Sequence, residues 1–169
     1  MIVVQMHGEP GSGKSTLARA LAPRIDAVVL DKDLLKSGLL HAGMEDPVAG
    51  ATSYDLFFAL ASDVLAQGRS VVLDSPVFWP IVEERSQAVA RAAGAAYFML
   101  ECVCLDGAEL ERRLTTRHAL DSQPREVRNW RAVPGTIDPS CERLTLDTLR
   151  PLDELVAQAV AHLHAGVRQ

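Results

Sequence analysis

Apolar residues in this chain fall into short unbroken runs, separated by longer stretches with helical period. IVVQM (2–6), AVVL (27–30), SVVLD (70–74), AAYFMLECVCL (95–105) and RLTLD (143–147) read as strands. Their Val, Ile and Leu come without the polar alternation of a half-exposed sheet, which points to strands covered on both faces. Between them the spacing predicts helices over 15–22, 33–41, 52–68, 79–93, 106–117 and from 151 to about 164. Pro23 ends the first, because the residue before a proline disfavours the helical region. Gly68 and Gly94 close two others. Asp106 and Glu109 have capping-box spacing, and Pro151 with Asp153 and Glu154 suits a helix start. Strands alternating with helices predict an α/β fold with a parallel sheet and helices on both faces. Residues 118–140 break the rhythm: they are polar, carry Pro124, Pro134, Gly135 and Pro139, and suit a mobile surface segment. No repeat, low-complexity tract or second domain is visible, so 1–169 is expected to be one domain with a lid at about 113–135.

The first strand runs into Gly8-Glu9-Pro10-Gly11-Ser12-Gly13-Lys14-Ser15, with Thr16 following. This satisfies G-x-x-x-x-G-K-[ST] in the setting the pattern requires, after a strand and opening a helix. Glycines let successive backbone N–H groups turn inward around phosphate oxygens, and the helix N-terminus adds its positive end. Lys14 would reach the β- and γ-phosphates, and Ser15 would offer a hydroxyl to Mg²⁺. No Asn-Lys-x-Asp guanine-reading motif occurs, which disfavours a GTPase.

Ligands of an open parallel sheet sit beyond the carboxyl ends of its strands. Strand two ends at Asp31 and Asp33, and strand three ends at Asp74. Phosphoryl transfer to a hydroxyl needs a carboxylate to orient the acceptor and take its proton, and Mg²⁺ to neutralise the moving charge. Asp33 is the candidate base, because Lys36 follows one helical turn later and would hold an anionic or polar part of the acceptor. Asp31 or Asp74 would assist the metal. Asp33 before LLKSGLL, and Asp74 or Ser75 before Pro76, equally suit capping, and the two roles are compatible.

Arg113 and Arg117, spaced i, i+4, are expected on one face of the helix 106–117, and Arg125, Arg128 and Arg131 follow in the polar segment. Arginines closing over phosphates stabilise the transition state and exclude water. Exposed pairing with Glu109 and Glu111 is the plainer alternative. Trp79 and Trp130 are candidates to frame an acceptor pocket or to pack. His7 abuts the glycine-rich loop without an assignable role, and His162 and His164 do not share a helical face.

Charge and composition narrow the partners. A net charge of −5 disfavours a general nucleic-acid binder without excluding a local basic groove. The three cysteines, Cys102, Cys104 and Cys141, have no metal-ligand spacing, and the first two are expected on one face of a strand. The N-terminal residues lack a basic leader pattern and no apolar stretch approaches the ~20 residues of a span, so a cytoplasmic chain without a membrane partner is expected. The oligomeric state is left open.

The glycine-rich loop, D-x-D at strand two, V-V-L-D at strand three, R-x-x-x-R before a mobile segment and Leu146-Asp147-Thr148 before the last helix together resemble a family. It is the P-loop small-molecule kinases, in the branch of AAA-type ATP-binding kinases near polynucleotide 5′-kinase, chloramphenicol phosphotransferase and zeta toxin. The resemblance implies a three-layer P-loop NTPase fold with a five-stranded parallel sheet of adenylate-kinase type and a helical lid. It also implies ATP and Mg²⁺ as cofactors, Asp33 as general base, Lys36 where members often carry a substrate-binding arginine, Arg117 as lid arginine with Arg113 its companion, and Asp147 and Thr148 near the nucleotide base. Departures bear on the acceptor: Asp74-Ser75-Pro76 stands where shikimate kinase has three glycines, and the G-D-x-L-H-P of gluconate kinase and the G-D-N of adenylylsulfate kinase are missing. Lysine at 36 weakens a bidentate grip on phosphate. The leading expectation is transfer of the γ-phosphate to a hydroxyl of a small acceptor such as an antibiotic, sugar or nucleoside. A polynucleotide 5′-hydroxyl kinase and an ATP-binding regulatory or toxin-like module with a protein partner are the alternatives.

Overall fold

The five apolar runs become one parallel sheet in the order β2-β3-β1-β4-β5. The structure is a computed structural model that describes residues 1–124, 126 and 133–167. Its elements are β1 (Ile2–His7), α1 (Lys14–Leu21), a 3₁₀ turn (Ala22–Arg24), β2 (Ala27–Asp31), α2 (Lys32–His41), α3 (Asp46–Ala66), β3 (Ser70–Asp74), α4 (Pro80–Ala92), β4 (Ala96–Val103), α5 (Gly107–Thr116), β5 (Arg143–Asp147) and α6 (Leu152–Val167). This is the three-layer P-loop NTPase architecture. One core layer joins Val4, Met6 and Leu100 to Leu17 and Leu21 of α1 and Leu155 and Leu163 of α6. The other joins Val3, Leu73 and Met99 to Phe57, Ala61 and Leu65 of α3 and Val82 and Ala90 of α4. Each such leucine contributes about 1.5–3 kcal/mol by leaving water. The chain leaves β1 for the far edge and returns through β3, so the glycine-rich loop sits at the switch point where open sheets bind ligands.

Register places the site. Asp31 and Asp74 are direct partners across β2 and β3, and His7 lies beside Glu101 across β1 and β4. The carboxyl ends therefore meet at one edge.

Several local expectations need correction. The helix expected over 52–68 begins at Asp46. Pro47 is compatible with this earlier start, because a proline in the first turn lacks only an N–H that would have no intrahelical partner, and Asp46 favours the positive helix end. The cap of α2 is Asp31, not Asp33: its Oδ1 accepts from the N–H groups of Asp33 and Leu34 at 3.0 and 3.2 Å. Asp106 caps α5, yet Glu109 does not complete a capping box and turns to Arg112 and Arg113. α5 ends at Thr116, so Arg117 is an extended residue beyond the helix, not on one helical face with Arg113. β4 ends at Val103, which leaves Cys104 outside the strand while Cys102 is buried within it. By length and composition α3 would also reach across a membrane, contrary to the reading of the apolar runs, but its Phe57, Phe58, Ala61 and Leu65 are spent on the core.

The polar segment is anchored at its far end. Glu83 Oε1 accepts from the N–H and hydroxyl of Ser140 and the N–H of Cys141, and Arg143 bonds Glu101, Asp138 and the Pro139 carbonyl. Arg125, Arg128, Trp130 and Arg131 lie outside the described residues.

Candidate active site

The loop after β1 has the shape its glycines allow. Gly8 has φ +124°, and a Cβ there would lie 2.1 Å from the Cys102 carbonyl oxygen, so no other residue fits. Gly13, at φ +94°, packs on Thr148 and hands the chain to α1. Lys14 folds back into the loop and donates to the carbonyl oxygens of Gly8 and Glu9, each at 2.8 Å. Burial lowers the Lys14 ammonium from its ordinary value, opposed by Asp74 and, more weakly, Asp33. The buried Ser12 hydroxyl has no hydrogen-bond partner among the described residues. A loop with a buried cation and an unsatisfied hydroxyl fits a polyphosphate.

Asp74, at the end of β3, is 5% exposed and stands beside the Ser15 hydroxyl. Burial pushes its carboxyl up to about 6, while Ser15 and Lys14 oppose the shift. Its Oδ2 is buried without a hydrogen-bond partner. An orphaned carboxylate oxygen beside a serine hydroxyl is a donor set that fits Mg²⁺. Among the described residues no three His, Cys, Asp or Glu cluster as a metal cage, so the remaining ligands would be phosphate oxygens and water, as this ion prefers. Asp31 is otherwise engaged: Oδ1 caps α2 and Oδ2 accepts from Arg19 at 3.0 Å.

The loop, both strand ends, α2, α3 and the turn after α5 enclose a cleft of about 1120 Å³. Lys14, Ser15, Asp31, Asp33, Lys36, Asp74, Trp79, Arg113, Arg117 and Thr148 all line it, together with Pro10, Gly11, Gly13 and Thr16. Asp147 does not: its Oδ1 accepts from the Leu149 N–H at 3.1 Å and shapes the turn instead. Arg113 donates to the Thr148 hydroxyl and carbonyl, both at 2.9 Å, and so ties α5 to the turn that packs on Gly13. Arg117 donates to the Pro124 carbonyl and closes the turn 117–124.

Sequence reading missed several participants. Lys32 pairs with Asp33 at 2.5 Å and stands over the Tyr54 ring, 5.5 Å from its centroid. Ser37 is the one buried residue of α2. Its cover is polar: the Ser122 hydroxyl donates to the Asp33 carbonyl at 2.9 Å, and the Ser122 N–H donates to Ser37 Oγ at 3.2 Å. The turn carrying Arg117 is thus stitched to the helix carrying Asp33. His7 acquires a structural role. Its Nδ1 accepts from the Val77 N–H at 3.1 Å, its Nε2 lies 3.9 Å from Glu101, and burial lowers its pKa to about 4. Together with Gln5, which donates to the Ser75 carbonyl at 2.5 Å, it fixes the loop that presents Pro76, Phe78 and Trp79 to the cleft. The only sequence signals for these were the i, i+4 spacing of Lys32 and Lys36 and a serine inside an amphipathic helix.

The sequence profile of the AAA domain family matches residues 3–133. The sequence has no match among curated proteins. Among solved structures, an inferred kinase of Chloroflexus aurantiacus is 26% identical over 98% of this chain and 97% of its own, with a TM-score of 0.76. A sugar kinase of Janibacter sp. HTCC2649 is 18% identical over 97% and 95%, with a TM-score of 0.65. The APS kinase of Mycobacterium tuberculosis, solved with AMPPNP and APS, is 21% identical over 96% and 97%, with a TM-score of 0.66. The likeness to the last two is one of fold.

Proposed function

The chain belongs to the AAA domain family, and from that premise we propose that it is an ATP- and Mg²⁺-dependent kinase transferring the γ-phosphate to a hydroxyl of a small molecule. The observation that carries this reading is the position of Asp33. It is relieved of capping by Asp31, lines the same cleft as the phosphate loop, and is close enough to Lys14 to raise that ammonium's proton affinity. A carboxylate opposite a phosphate cradle is what an acceptor hydroxyl needs.

In this mechanism the loop N–H groups and Lys14 hold the β- and γ-phosphates. Mg²⁺, bound by Ser15 and assisted by Asp74, would neutralise charge on those phosphates. Asp33 accepts the hydroxyl proton as the acceptor oxygen bonds to the γ-phosphorus and the bond to the ADP oxygen breaks. Arg117, brought from the turn after α5, stabilises the charge on the moving phosphoryl group. Asp33 then returns its proton to water. Thr148 and Arg113 frame the nucleotide side.

The test is radiolabel transfer from γ-labelled ATP across a broad panel of hydroxyl compounds. Labelling of at least one small acceptor is expected in the wild type, and Asp33→Asn should lower it by about 100- to 10,000-fold with ATP affinity nearly intact. Retained turnover in that variant would reassign the base. Preferential labelling of an oligonucleotide, with steep salt dependence, would favour the polynucleotide reading instead.

A further inference from the structure

The acceptor half of the cleft holds two lysines that the transfer chemistry does not use. Lys32 and Lys36 are i, i+4 on α2, so they project from one face about one turn apart. Their contacts on α3 follow the same spacing: Lys32 stands over the Tyr54 ring, and Lys36 Nζ lies 4.0 Å from where a Cβ on Gly50 would sit. Gly50 and Tyr54 are also i, i+4. The two ammonium groups therefore both lie against α3, on neighbouring turns of α2. Their side chains are only 14% and 15% exposed, although lysine is normally solvated.

Their present partners are ill suited to be permanent. Lys36 pairs with Asp46 at 2.9 Å, but that carboxylate is 70% exposed, and such pairs contribute little. Lys32 pairs with Asp33, the proposed base. Once Asp33 turns to an acceptor hydroxyl and takes its proton, Lys32 is left as a largely buried ammonium without that anion. Leaving it so is costly, and a second anion restores the balance. A carboxylate or phosphate group has separate oxygens, each able to accept from one ammonium group at about 2.8 Å, so one anion can serve both lysines. Gly50 and Ala51, small residues on the lining face of α3, leave space for it.

We infer that Lys32 and Lys36 form an anion subsite and that the acceptor is a small hydroxylated acid. This inference rests on the kinase reading above. Because Lys32 and Asp33 are adjacent, the acid group and the reacting hydroxyl are only a few bonds apart. Neutral sugars, nucleosides and antibiotics are then poor acceptors.

The experiment compares hydroxy acids and sugar acids, sugar phosphates, and the neutral parent of each as acceptors for label from ATP. It uses the wild type, Lys32→Met, Lys36→Met and Lys32→Arg, with thermal unfolding of each as a check on folding. Acids should exceed their neutral parents by about tenfold to a hundredfold in kcat/KM. Each Met variant should pull that ratio toward one through a raised acceptor KM, with the KM for ATP unchanged, and Lys32→Arg should keep most of it. The carboxylate and phosphate arms tell which acid is taken. Neutral parents equal to the acids, or Met variants that lower acids and neutral compounds alike, overturn the subsite while leaving the kinase reading standing. A wild type that binds ATP yet labels no compound in either class overturns the kinase reading itself.

Discussion

The two halves of the cleft are built by different means. The nucleotide half is backbone: a glycine loop at the end of a buried strand, a helix N-terminus and one lysine held by the loop's own carbonyl groups. The acceptor half is side chain: Asp33, Lys32, Lys36, Tyr54 and Ser122 come from two helices and a turn, and their charges are matched pair by pair. A backbone cradle suits a ligand shared across a fold, because most substitutions leave the backbone N–H groups in place. A side-chain pocket is free to change with a few substitutions, and acceptor choice resides there.

Changes on the nucleotide side should be the most severe. Lys14→Met removes the one cation inside the loop, and we expect transfer to fall by about 100- to 1000-fold with weakened ATP binding, read by label transfer and calorimetry. An acceptor-side change that weakened ATP binding equally would erase the contrast between the halves.

Asp74 comes next, and it separates stability from chemistry. Burial raises its pKa to about 6, above the ordinary carboxylate value, so the fold favours the protonated form. That preference is fully present below about pH 4 and lost as pH rises through 6, where the buried anion costs up to about 3 kcal/mol. Asp74→Asn should therefore raise the Tm of the Mg²⁺-free protein at pH 7.5, by an amount that vanishes toward pH 4. With Mg²⁺ and nucleotide present the order should reverse, because the wild type, with its carboxylate beside the metal, gains more binding energy than the variant. A Tm offset independent of pH would contradict this.

The smallest effect is expected where the halves meet. Ser122→Ala or Ser37→Ala loosens the stitch between the Arg117 turn and α2, and kcat should fall by less than about tenfold with the KM for ATP unchanged. The double variant should be little worse than either single one, since the hydroxyls act as a pair. Additive losses would mean that the two serines act separately.

Much of the nucleotide half was legible in the sequence. Gly8 to Thr16 is contiguous, and Asp33 and Asp74 follow from the rule that parallel strands present their carboxyl ends to one edge. The choice between Asp31 and Asp33 as cap was not legible, because two acids in succession can each precede a helix. Where β2 ends decides it, and with it which carboxylate is left for chemistry. The start of α3 was not legible either: its first turn carries Pro47, which a helix accepts at that position because the missing N–H would have no intrahelical partner. Ser37 and Ser122 are 85 residues apart, and no periodicity links them.

Sequence by itself therefore determined the alternation of buried strand and helix, the phosphate loop and the acids at the strand ends, since these depend on local period and on a general rule of parallel sheets. Only the tertiary structure decided which acid caps, which one stands beside Ser15, and which lysines face Tyr54 and Gly50. Those pairings arise from how α2, α3 and the turn 117–124 pack, and packing brings together residues whose order along the chain carries no trace of the contact.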